Sequence, residues 1–135
     1  MKYEIRYGKA GVAVYRTHAT PLRDVTPISE SPFTGRDNIL MAAELEIEVH
    51  GEAFLDAYTR GDNRLVVPTD TMKNFMHAAS LESPAATLEG WLDHVGRAFL
   101  ATYPVMQRIT MHGRELPFPA ALVAAEDGDG FATSA

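Results

Sequence analysis

The stretch VVPTDTMKN, residues 66–74, is where the chain changes period. Val66 and Val67 run into Pro68, and then Thr69, Asp70 and Thr71 crowd together just ahead of an apolar face that recurs every three to four residues. β-Branched residues favour extended backbone, whereas Thr and Asp ahead of such a face mark a helix N-terminus. The segment therefore reads as a strand handing Thr69 and Asp70 to the mouth of a helix. A single side-chain cap, worth about 1 kcal/mol, would account for one of the three polar residues. The same entrance carries backbone N–H groups with no partner inside the helix, and these suit an anion or an electron-rich ring atom.

Working outward, Met72, Phe75, Met76 and Ala79 place one apolar face on a helix over residues 70–80. Ser83 followed by Pro84 reads as the N-cap and first residue of a second helix. Its buried stripe is Leu88, Trp91, Leu92, Val95 and Phe99, and it stops near Tyr103-Pro104. Residues 105–112, VMQRITMH, alternate as a closing strand ahead of an ELPFP turn. The tail 119–135 is small, acidic and without period, which reads as linker or frayed end.

Upstream, residues 3–18 form a first strand whose alternation is clearest from Gly11. Residues 19–38 hold Pro21, Pro27 and Pro32 and read as a long loop with freedom to move. From Ile39 to Tyr58 a long second strand turns Leu45, Ile47 and Val49 one way and Glu44, Glu46 and Glu48 the other, with Gly51 marking a bulge. RGDN at 60–63 is a turn. The order strand, long strand, helix, helix, strand gives an α+β domain over residues 1–118, an antiparallel sheet with two helices packed on one face. A sheet of three or four strands has open edges, so a further strand, domain or subunit is expected to complete it.

Composition removes several function classes. At 135 residues the chain can bury one core without staples, and with no cysteine it has neither disulfides nor thiolate metal sites, which fits a reducing compartment. Twelve basic residues against eighteen acidic ones give a net charge of −6 with no basic stripe, so no nucleic-acid partner is expected. No apolar run approaches a membrane span and the start MKYEIRYGK lacks an apolar signal core, so the expectation is no membrane contact and a cytoplasmic location. The five histidines have no ligand-like spacing, so no metal is expected. Taken alone, Lys9 is a solvated lysine after a glycine, Asp70 is an acid suited to a helix dipole, and Trp91 and Phe99 are core.

Three segments add more: YGKAGVAVYR at 7–16, YTRGDNRLVVPTDTMKN at 58–74, and the helix ending AFLATYP at 98–104. In this order they closely resemble the first half of the urate oxidase (uricase) family, over roughly residues 3–118. The loop at 19–38 stands as an insertion relative to shorter members, and Pro68 replaces the family's alanine before Thr-Asp.

The resemblance implies the tunnelling fold (T-fold), an antiparallel four-stranded sheet with two helices on its outer face, which associates side by side into barrels. It implies a cofactor-independent oxidation of urate by dioxygen and water to 5-hydroxyisourate and hydrogen peroxide, with neither metal nor flavin. Carried over residue by residue, Lys9 and Thr69 are the catalytic pair, and Thr69 and Asp70 bind the flat purine through the backbone around them. A bound urate anion stabilises the Lys9 ammonium, so a relay in which the Thr69 hydroxyl and a water share the proton is favoured over lysine acting alone. The family's other clamping residues belong to a second T-fold domain, so this chain is expected to act as an N-terminal half, completed by a second T-fold domain or chain in a homo-oligomer, a tetramer. The alternative is a non-catalytic T-fold module that binds a purine or pterin or serves assembly.

Overall fold

The computed structural model describes residues 2–37, 39–117, 122–124 and 131–133. Strands β1 (Arg6–Arg16), β2 (Met41–His50) and β3 (Arg108–Leu116) form an antiparallel sheet in the order β1-β2-β3. The alternation along β2 sorts its two faces. Leu45, Ile47 and Val49 are wholly buried beneath helices, whereas Glu44, Glu46 and Glu48 point to the opposite face, where Arg6 pairs with Glu48 at 3.1 Å and Arg114 with Glu44 at 3.6 Å. Pairs this exposed contribute little to stability. The buried side of the sheet does the work of folding, at roughly 1.5–3 kcal/mol for each large aliphatic side chain taken from water.

Helices α2 (Thr69–Glu82) and α3 (Leu88–Thr102) cover that face, following a short 3-10 turn (Glu52–Phe54) and α1 (Leu55–Thr59). Met72 and Met76 of α2 and Trp91, Val95 and Phe99 of α3 are fully buried, as their spacing predicts. Trp91 donates its indole N–H to Ser80 Oγ at 2.7 Å, and the Arg16 guanidinium lies 4.9 Å from the Trp91 ring. Arg16 also donates to Ser83 O at 2.6 Å and Ala85 O at 3.1 Å. One residue of β1 thereby fixes the path of the α2–α3 connection.

Several expectations need correction. Ser83 and Pro84 do not start the second helix: Ser83 is the C-cap of α2, and Thr87 caps α3 by accepting from Gly90 N. The Arg16 clamp holds residues 83–85 out of helical geometry. Gly51 ends β2 instead of bulging it, and residues 52–59 are helical. A Cβ at Gly51 would lie 3.1 Å from the buried Phe54 ring and 3.2 Å from Val105 O, so the glycine is kept for close packing. Residues 65–67 form no strand: Leu65 lies in a turn, and Val66 and Val67 reach α2 outside any ladder.

Over residues 19–37 the expected loop is not free: Leu22 bridges Arg36 and Ile28 bridges Ser31, while Arg36 donates to Ala86 O at 2.9 Å and engages Glu115. Its prolines fall beside these donors and not on them, which is how a proline-rich segment still makes backbone bonds.

The closing strand begins later than its alternation suggests and runs on to Leu116. In the tail, β4 (Leu122–Ala124) pairs antiparallel with β5 (Phe131–Thr133) as a separate two-stranded ladder, while residues 118–121, 125–130 and 134–135 lie outside the described residues. The main sheet thus has three strands where the resemblance implies four. Among the described residues no helix is long and apolar enough to cross a membrane.

Candidate functional site

Two glycines aim Lys9. The register of β1 against β2 runs from Arg6 opposite His50 to Lys9 opposite Ile47, then slips, so that Val12 faces Leu45 and Ala10 and Gly11 share a place beside Glu46. Such a bulge inserts one residue and reverses which parity faces the core. Tyr7 and Lys9 precede it and Val12, Val14 and Arg16 follow it, yet all five turn toward the helices. Gly11 has φ 68°, the left-handed backbone that the bulge requires and that glycine adopts without strain. At Gly8 a Cβ would lie 1.8 Å from the Ile47 carbonyl oxygen, so no other residue fits there. The motif YGKAG is in this sense a device for placing a half-buried lysine on the helix side of a sheet edge.

The second half of the site is the entrance of α2. Its N-cap is Pro68, in extended geometry (φ −57°, ψ 142°), and no side chain caps the helix. None of Thr69, Asp70 and Thr71 serves as the cap that local composition suggested; they are the first helical residues, exposed at the entrance. The bond from Met72 N to Pro68 O opens the helical ladder, so the N–H groups of Thr69, Asp70 and Thr71 are turned to the front of the helix with its dipole behind them. Asp70 accepts from Lys73 at 3.3 Å.

Tyr7 joins the two halves. Its phenol accepts from Val67 N at 2.8 Å and donates to Val67 O at 3.2 Å, and its ring meets buried Phe54 edge-on with centroids 5.1 Å apart. Burial pushes the phenol above its ordinary value, outweighing the lowering by the bond to Val67, so the hydroxyl stays protonated and can both donate and accept. Sequence reasoning missed Tyr7. Its partner lies sixty residues away, and only the family-like YGK context marked the segment at all.

Among the described residues the Lys9 side chain makes no hydrogen bond or ion pair, and it is not bonded to Thr69 within the chain. The structure brings Thr69 and Asp70 together on one helical turn and sets the strand bearing Lys9 against the same helix, but leaves the lysine and threonine unbonded. Clefts are also found on other parts of the described surface. One of about 520 Å³ is lined by Pro84, Ala85, Gly90, Asp93, His94 and Arg97 on the outer side of α3. It is shallow and its only close ion pair, Arg97 with Asp93, is internal to the helix, so the chemistry is better sought at the α2 entrance. No cluster of three or more His, Asp or Glu fit to hold a metal occurs among the described residues.

A three-stranded antiparallel sheet with two long helices on one face and a bulged edge strand facing a helix entrance is a T-fold domain. The family model for uricase matches residues 5–131, and the chain belongs to the uricase family. The uricase of Haloferax volcanii is 47% identical over 130 residues, covering 96% of this chain and 42% of the relative. The uric acid degradation bifunctional protein PucL of Bacillus subtilis is 48% identical over 122 residues, covering 89% of this chain and 24% of the relative. The crystal structure of urate oxidase from Bacillus sp. TB-90 superposes with a TM-score of 0.89 at 40% identity, covering 96% of this chain and 42% of that one. The chain thus spans less than half the length of the relatives it matches.

Proposed function

We propose that this chain supplies one side of the active site of a cofactor-independent urate oxidase, which converts urate, dioxygen and water to 5-hydroxyisourate and hydrogen peroxide. The observation that carries the reading is the uncapped entrance of α2, tied through Tyr7 to the strand bearing Lys9, in a chain of the uricase family. Thr69 and Asp70 present backbone N–H groups to the rim of a planar anion, and Lys9 stands as the base end of a relay through the Thr69 hydroxyl and a water. The substrate supplies the electrons to dioxygen, so the protein has to hold the ring, take a proton and keep water ordered.

The relatives' greater length supports a second T-fold domain or chain as the opposite wall of the pocket. Lys9 then finds its proton partners only when that wall closes. Residues 1–118 act as the T-fold unit, the assembly is a homotetramer of barrels, and the site operates in the cytoplasm.

The test pairs the chain with the portion of the Haloferax volcanii uricase that it does not cover. Oligomer size is measured together with loss of urate absorbance and release of peroxide. Turnover by the completed assembly supports the enzyme. Assembly with urate bound but not consumed would leave a binding module, and no assembly at all would count against the half-site.

A further inference from the structure

We propose that Tyr7 is a positioning residue for the reaction, acting through Val67 to fix the entrance of α2 against the strand that carries Lys9; the inference rests on the urate oxidase reading. Four observations converge. The Tyr7 hydroxyl bonds the backbone of one residue twice, accepting from Val67 N at 2.8 Å and donating to Val67 O at 3.2 Å. Val67 is buried, lies two residues before Thr69, and belongs to a segment that no strand ladder holds. Tyr7 itself lies two residues before Lys9 on the same side of β1, opposite wholly buried Val49. Its ring is braced by Phe54, so the phenol has little freedom to swing.

Relays fail on small misplacements. A shift of about 1 Å at a reacting group can cost about a hundredfold in rate, while substrate affinity spread over many contacts changes less. Without the phenol, the backbone at Val67 loses both of its side-chain hydrogen bonds and is held by the burial of its own side chain, by Pro68 and by the bond from Val66 N to Asn63 O at 3.1 Å. Thr69 is then free to move relative to Lys9.

Tyr58 provides the comparison. Its hydroxyl donates to Arg6 O at 3.0 Å, the same kind of bond on the neighbouring stretch of β1, but it does not touch the segment leading to Thr69.

The experiment compares Tyr7→Phe and Tyr58→Phe in the urate-competent assembly, with kcat and KM normalised to folded sites and amide exchange followed at Val67. Tyr7→Phe keeps the ring and its contact with Phe54. We expect its kcat to fall about tenfold or more with KM within about threefold, and Val67 exchange to quicken about tenfold while the β2 amides are unchanged. Tyr58→Phe is expected to keep kcat. A Tyr7→Phe protein with wild-type kcat overturns the inference whatever its stability, as does unchanged exchange at Val67. Absence of urate turnover in the unmodified assembly overturns the urate oxidase reading and this inference with it, so the two failures are distinguishable.

Discussion

Gly8 and Ile47 approach so closely across the first two strands that a methyl group on Gly8 would stand 1.8 Å from the Ile47 carbonyl oxygen. The contact is with backbone, which cannot swing away as a side chain can. Gly8→Ala is therefore expected to destabilise the domain by about 1–3 kcal/mol through forced displacement of β1, read as a fall in the urea midpoint. Because Lys9 follows directly, urate turnover by the completed assembly proposed above should fall further than the loss of folded protein accounts for.

Gly11 isolates a different cause. Nothing lies within 4 Å of a Cβ built there, but its φ of 68° is left-handed. Gly11→Val is expected to cost about 1–2 kcal/mol, and Gly11→Asn clearly less, since Asn tolerates that conformation. Thermal unfolding of the two variants separates conformational strain from crowding.

The sequence made some of this legible and hid the rest for identifiable reasons. The alternation of Leu45, Ile47 and Val49 with three glutamates specifies a strand with one buried face, and the stripe from Trp91 to Phe99 specifies α3; both signals are local and long. The helix at 55–59 is too short for its period to be told from a strand's. Ser83-Pro84 carries the local chemistry of a helix start but is held extended by Arg16, nearly seventy residues away. The threonines at 69 and 71 looked like caps because proline, with no side-chain acceptor, is not the residue sought at that place. At the site, Lys9 was visible only through family resemblance, because the bulge that turns it toward the helices depends on pairing with β2.

Ser80 and Trp91 form the buried polar pair between α2 and α3, with the indole N–H donating at 2.7 Å. Ser80→Ala leaves that N–H buried without a partner and is expected to cost about 1–3 kcal/mol. The check is denaturant unfolding beside Trp91→Phe and the double variant. Ser80→Ala should cost much less once the indole is gone.

Tyr7 gives a pH dependence of defined sign. Its folded-state pKa lies above the ordinary 10.0, burial being the main cause, so the folded chain holds a proton that the unfolded chain releases. The contribution to stability is whole below pH 10.0 and is lost as pH rises toward and through the raised value. Urea midpoints measured from pH 8 to above 10.0 are expected to fall more steeply for the parent than for Tyr7→Phe.

The most direct test of the half-site is a cycle of Lys9→Met, Thr69→Ala and the double variant in the completed assembly, scored by urate consumption with peroxide release. Both residues are accessible enough that folding and assembly should be preserved. If they act as one relay, each single change lowers kcat by about a hundredfold or more, and the double variant is hardly worse than either. Wild-type turnover in Lys9→Met, or losses that multiply as for independent residues, would contradict the account.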